Sequence, residues 1–392
     1  TTLWALLAWA GAMGLGPSAL HAQASRGSDP ALSSETKTAI VEGIGQALVS
    51  TYIYEDVARD MATLLQEQLR AGAYGEINDG VEFARLLTDD LRSVANDLHL
   101  GVQMRHVHPD QGAETETVED GEADAHGSVE DRRRSNFGIR KAEILEGNVG
   151  YLAIDGFEGG PEAGATVVAA MNFLGNSDAL ILDLRQNGGG GPSVIQMIFG
   201  YLLDDPTHIT GFYSRETDTH QQFWSPPYVP GPSLADVPVF VLVGPRTFSA
   251  AEAFSFSIQT LERGAIVGER TPGGSHPVRP VPISGTDFVV HVPFARTVDP
   301  RVDSDWEGTG IIPDIPASME EALEVAHLEA LATIRDGESD PDRRRALSMI
   351  LDRRQAQLTA PALGVEALAE YEGKYTGEVE VEIVIREGQL IM

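Results

Sequence analysis

The sequence has 392 residues, enough for two or three domains and at least one sizeable core. It carries 59 acidic against 28 basic residues, a net charge of −31, so its surface repels nucleic acid and anionic membranes, and neither is an expected partner. It has no cysteine, which excludes disulfides, thiolate metal sites and cysteine nucleophiles.

The first elements concern targeting. Residues 3–15 are apolar and uncharged, and Ala22-Gln23-Ala24 reads as an A-x-A cleavage site. Residues 1–24 therefore read as an incomplete signal peptide, which predicts a periplasmic or secreted protein. The apolar run is short for a bilayer span, and no integral membrane span is expected in the mature chain.

Residues 33–105 read as a helical domain. Ser33 or Ser34 caps a helix carrying Ile40, Val41, Ile44 and Leu48, and Val57, Met61, Leu64, Leu65 and Leu69 mark a second. Asp79 with Glu82 resembles a capping box for a third, with Phe83, Leu86, Leu87, Leu91 and Val94 on one face. Residues 106–136 read as an acidic flexible insert closed by Arg132-Arg133-Arg134.

From residue 137 to 335 short apolar runs alternate with helix-like segments, as an α/β core does. Strands are expected at 149–154, 179–184, 237–243, 265–267 and 288–292. Helices are expected at 163–174, 192–203 and 319–334. A helix and linker occupy 336–364. The alternation Val379, Val381, Ile383, Ile385 opens a small β domain at 365–392, which reads as truncated.

The chemistry centres on Arg246-Thr247-Phe248-Ser249-Ala250-Ala251-Glu252, between the 237–243 strand and a helix through Ile258. A serine on such a turn exposes its hydroxyl beside helical amides that can bind an oxyanion. The plainer reading is an N-cap. A nucleophile needs a base, an orienter and oxyanion donors. His99, after the third helix, suits the base; His106, His108 and His276 are rivals. Residues 182–192 carry four successive glycines after a strand, which lets backbone amides approach a substrate, although a tight turn alone would need them too. No Lys-Ser/Thr follows them and the G-x-G-x-x-G spacing is absent, so they do not read as a phosphate cradle. Glu307, beside Trp306 and ahead of a glycine turn, is a possible acidic orienter that nothing in its own segment distinguishes from the other acidic residues.

The runs Asp183-Leu184-Arg185-Gln186-Asn187-Gly188-Gly189-Gly190, Thr247-Phe248-Ser249-Ala250-Ala251-Glu252, Gly268-Glu269-Arg270-Thr271-Pro272-Gly273-Gly274 and Gly308-Thr309-Gly310-Ile311-Ile312-Pro313-Asp314, with Asp97-Leu98-His99, resemble the C-terminal-processing (tail-specific) serine peptidase family. The likeness is to the branch of the tricorn protease core and interphotoreceptor retinoid-binding protein. It implies a crotonase-like ββα superhelix core beside the helical bundle, Ser249 as nucleophile, His99 as base and Glu307 as its acidic partner. It also implies an oxyanion hole from the amides of Gly188 or Gly189 and of Ala250. No cofactor and no metal are implied, and the substrate is a peptide or protein. The lysine of the tail-specific Ser–Lys dyad has no counterpart, because Gly273-Gly274-Ser275-His276 stands there. The acidic insert is too short and polar to be a PDZ domain. Two other activities are compatible with the same chain: a non-catalytic binder of apolar ligands, and an esterase, although the G-x-S-x-G elbow is absent.

Overall fold

The computed structural model describes residues 32–105, 128–359, 365–377, 380–386 and 389–391. The signal-peptide reading, most of the acidic insert, His106 and His108 lie outside them. Helix α1 (Ser34–Thr51) starts where the Ser33 hydroxyl accepts the Thr36 amide, α2 spans Glu55–Arg70, and α3 (Gly80–Ala95) starts where Asp79 accepts the Glu82 amide. Their apolar faces meet over Ile40, Ile44, Leu48, Met61, Leu65, Phe83, Leu87 and Leu91, all fully buried. Each such side chain contributes about 1.5–3 kcal/mol of burial. Asn96 ends α3 in the left-handed conformation, and the chain enters strand β1 (Gly101–Met104) five residues later.

The charged stretch at the end of the acidic insert differs from the expectation of a flexible segment. Val129–Arg134 forms a short helix, α4, because Ser128 caps it and Arg133 and Arg134 pair with Glu130 and Asp131 one turn back.

The core is a six-stranded sheet. Strand β2 (Ile139–Leu145) runs antiparallel beside β3 (Val149–Ile154); β4 (Ala179–Asp183) follows α5 (Pro161–Phe173) and lies parallel to β3. Helix α6 (Pro192–Leu202) leads to a hairpin of β5 (His208–Ser214) and β6 (Thr219–Trp224). Then come β7 (Val239–Val243), α7 (Ala250–Thr260) and β8 (Ala265–Gly268), with β7 parallel to both β4 and β8. Leu152, Leu182 and Val241 point to the face covered by α5, α6 and α7. Tyr151, Ile181 and Leu242 point to the opposite face. Burial on both faces is why these strands are almost continuously apolar.

Strands β9 (Val278–Pro282) and β10 (Phe288–Pro293) join β1 in a second sheet, in the order β1-β10-β9. Ile283, Phe288, Val290 and Val292 enter the core of the three helices, so the N-terminal helices and the 278–293 hairpin share one core. Strand β11 (Ala295–Val298) pairs with β5, and β12 (Ile315–Pro316) closes the six-stranded sheet beside β8. Helices α8 (Ala322–Gly337) and α9 (Pro341–Thr359) cover its second face. The short α10 (Val365–Leu368) precedes a three-stranded meander of β13 (Gly373–Tyr375), β14 (Val381–Arg386) and β15 (Gln389–Ile391).

The strands at 139–145, 208–214, 219–224, 278–282 and 295–298 have no counterpart in the sequence reading. Their side chains give little periodic signal: β6 buries only Phe223, and β9 contains Pro280 and Pro282. Both are edge strands, held through one ladder, where prolines and polar residues are tolerated.

Candidate functional site

The carboxyl ends of β4 and β7 lie side by side, and the loops that leave them build the site. Open α/β sheets place ligands at such ends. Ser249 has φ 53° and ψ −118°, a backbone conformation that costs a residue other than glycine on the order of 1–3 kcal/mol. Surrounding bonds impose it. The Phe248 amide donates to Asn187 O (3.0 Å), the Thr247 hydroxyl donates to Leu184 O (2.8 Å), and the Ser249 amide donates to Glu252 Oε2 (3.0 Å). Ser249 is also the N-cap of α7, with Glu252 completing a capping box, so the strained turn and the cap together present this serine.

The glycine loop touches the same turn. A Cβ on Gly189, whose φ is +116°, would lie 2.9 Å from Ser249 Cβ and 3.2 Å from the Ala250 nitrogen. Only glycine lets the two backbones come this close. Of the amides expected in an oxyanion hole, Gly189 N–H is already committed to Asn187 Oδ1 at 2.9 Å. The Gly188 amide has no acceptor among the described residues, and a Cβ there would meet nothing within 4 Å. The Gly188 amide is thus free to donate, whereas the Gly189 amide is not, and Gly189 supplies room.

His99 sits in the turn between α3 and β1. The Arg92 guanidinium holds this turn through Leu98 O (2.7 Å) and Leu100 O (2.8 Å), and Asp97 Oδ1 accepts the His99 amide (2.9 Å). The imidazole lies on the Phe248 ring, with centroids 4.6 Å apart, one residue before Ser249. Its other neighbour is Gly274, where a Cβ would stand 2.7 Å from His99 Cε1. The side chain is 6 % exposed, and neither ring nitrogen has a hydrogen-bond partner. Burial, helped by the charge of His276, pushes its pKa down to about 4, so the imidazole is neutral at pH 7, as a proton acceptor must be.

Glu307 reaches the same place from the loop after β11. Its Oε2 accepts the amides of Ser275 (2.6 Å) and His276 (3.2 Å), while Oε1 is buried without a partner. Burial and the nearby Asp97 charge push its pKa up to about 7. Asp97 is a further member that the sequence reading left without a role. Its Oδ1 lies 4.0 Å from His99 Nδ1, and its Oδ2 lies 2.8 Å from His276 Nδ1. Asp97, His99 and Glu307 each place a ligand atom within 4.8 Å of the other two.

His276, a rival base in the sequence, is paired with carboxylates instead. Burial alone would lower its pKa, but the Asp97 bond and the charges of Glu307 and Asp97 overcome this and raise it. The spacing Asp-x-His was the available signal for Asp97. The Asp97–His276 contact, 179 positions apart, left none.

Glu252 ties these parts together. The side chain is fully buried, and it accepts the Thr271 hydroxyl (2.5 Å) and the amides of Gly273 (2.7 Å), Gly274 (2.8 Å) and Ser249. Burial raises its pKa against the pull of those donors. Glu252→Gln turns one acceptor into a donor facing donors, with an expected loss of about 1–3 kcal/mol in urea unfolding. Peptide hydrolysis should fall with it, because Gly274 and Ser249 would lose a common anchor. Unchanged stability would show that the carboxylate does not hold this loop.

Fold and cluster together define the class: an α/β protein with a strained serine, a buried neutral histidine and flanking carboxylates at the carboxyl ends of its parallel strands. Residues 148–317 match the model of peptidase family S41, and residues 31–133 match the N-terminal domain of peptidase S41 in eukaryotic IRBP. The chain thus carries a peptidase family S41 domain together with an S41 N-terminal domain. It is 31% identical over 127 residues to a carboxyl-terminal-processing protease of Picosynechococcus sp., a match that covers 32% of this chain and 29% of that protein. The chain thus spans under a third of that relative. A candidate peptidase from Parabacteroides merdae superposes with a TM-score of 0.54 at 18% identity, covering 77% of this chain and 99% of the other. Mature CPAF superposes with a TM-score of 0.53 at 12% identity, covering 83% and 97%. At these identities the likeness is one of fold.

Proposed function

We propose that this chain is a serine endopeptidase, secreted or periplasmic, that hydrolyses peptide bonds through an acyl-enzyme. The observation that carries the reading is the Phe248 ring: it supports the His99 imidazole while its own backbone leads into the strained Ser249 turn. His99 takes the Ser249 Oγ proton as that oxygen attacks the scissile carbonyl carbon. The carbonyl oxygen becomes an oxyanion facing the Gly188 and Ala250 amides, each donor supporting about 2.7–4 kcal/mol of transition-state stabilisation. The imidazolium then protonates the leaving amine, and water releases the acyl group by the reverse steps.

Asp97 lies on the Nδ1 side of His99 and Glu307 joins the same cluster, where both stabilise the imidazolium as it forms. The crotonase-like superhelix remains part of this reading. Its test is fluorophosphonate labelling of the full chain. Stoichiometric labelling at Ser249 supports it. A folded protein that takes no label, and instead retains an apolar ligand through purification, would replace it with a binding role.

A further inference from the structure

We propose that Asp97 Oδ1, His99 Nδ1 and Glu307 Oε1 form a binding site for a divalent transition-metal ion of the zinc type, and that the bound ion silences the catalytic base. One ligand atom from each residue lies within 4.8 Å of the others. A tetrahedral zinc ion with bonds of about 2.0–2.2 Å holds its ligand atoms about 3.4 Å apart, so modest side-chain rotation closes the site. One imidazole nitrogen with two carboxylate oxygens is a donor set that zinc accepts, and a fourth position stays open for water.

Two independent observations point to a ligand here. Both nitrogens of the 6 %-exposed His99 side chain are unpartnered, and so is the buried Glu307 Oε1. Buried polar atoms without partners are uncommon and call for an explanation. The remaining oxygens are already employed elsewhere. Glu307 Oε2 stays on the Ser275 and His276 amides, Asp97 Oδ2 stays on His276, and Asp97 Oδ1 keeps a second lone pair beside the His99 amide. The ion is therefore added without breaking a hydrogen bond. It also places positive charge beside two carboxyl groups that share one buried space.

The chemical consequence follows from the imidazole. Neutral imidazole coordinated through Nδ1 carries its proton on Nε2. That nitrogen then has no lone pair with which to accept the Ser249 proton. The ion is an inhibitor, distinct from a cofactor. The inhibitory half rests on the serine-peptidase reading, whereas the binding half does not.

The test uses the full chain, dialysed against chelator and titrated with zinc sulfate by calorimetry, and with cobalt chloride followed by its visible absorption. One saturable site is expected in the wild-type protein and in Ser249→Ala, with a tetrahedral cobalt spectrum. Asp97→Asn and Glu307→Gln should each weaken it about tenfold or more. Circular dichroism checks that each variant is folded, and either variant suffices. Fluorophosphonate labelling should fall as zinc is added and return with EDTA. No saturable binding to wild type overturns the proposal, as does weak binding to many surface carboxylates that both variants leave unchanged. Saturable, variant-sensitive binding in a protein that never labels would keep the metal site and remove the peptidase reading.

Discussion

Ser249→Ala is expected to lower kcat on a peptide substrate by on the order of 10⁶-fold while leaving the chain folded. The magnitude follows from the chemistry: without the hydroxyl there is no acyl-enzyme, and only water held near the Gly188 and Ala250 amides remains. The structural neutrality follows from the backbone. Alanine tolerates φ 53° no worse than serine, and the bonds that impose the turn come mainly from Thr247, the Phe248 amide, the Ser249 amide and Glu252, the Ser249 hydroxyl adding only its half of the capping box. Thermal unfolding should shift little, and fluorophosphonate should no longer attach. Hydrolysis by the folded variant within tenfold of wild type would reject Ser249 as the nucleophile.

His99→Ala should cost a similar factor, on the order of 10⁶ in kcat, because nucleophile and base act as a unit. The informative comparison is His276→Asn. Both imidazoles are buried in one cluster, but only His99 stacks on Phe248 with its nitrogens uncommitted. His276 Nδ1 is bound to Asp97, and its ring edge meets Tyr54 at 5.7 Å. Its loss should displace Asp97 and Glu307 by a fraction of an ångström and cost about 10²-fold or less. Kinetics of both variants on one peptide measures the order. A larger loss for His276→Asn than for His99→Ala would exchange their roles.

Much of the site was legible because it is local. Ser249 is read from an apolar strand followed at once by a helix, and the glycine loop from four glycines in the same setting. The three N-terminal helices show their 3.6-residue spacing and their caps at Ser33 and Asp79. The edge strands were not legible, because β6 and β9 are held by backbone ladders and leave little apolar pattern. Nor could the sequence show that Gly189 spends its amide on Asn187 and serves by lacking a side chain.

The sequence by itself determined the α/β core, the serine turn and the glycine turn, since each depends on residues within one strand–loop–helix unit. Tertiary structure decided which histidine and which carboxylates join them. Pairing of β1 with β10 brings the Asp97–His99 turn to Phe248, and the 271–276 loop, held by Glu252 and Glu307, brings Glu307 and His276 to Asp97. The reason is physical: a proton acceptor is made by burial and by neighbours from distant parts of the chain, and neither is written in the residues beside it.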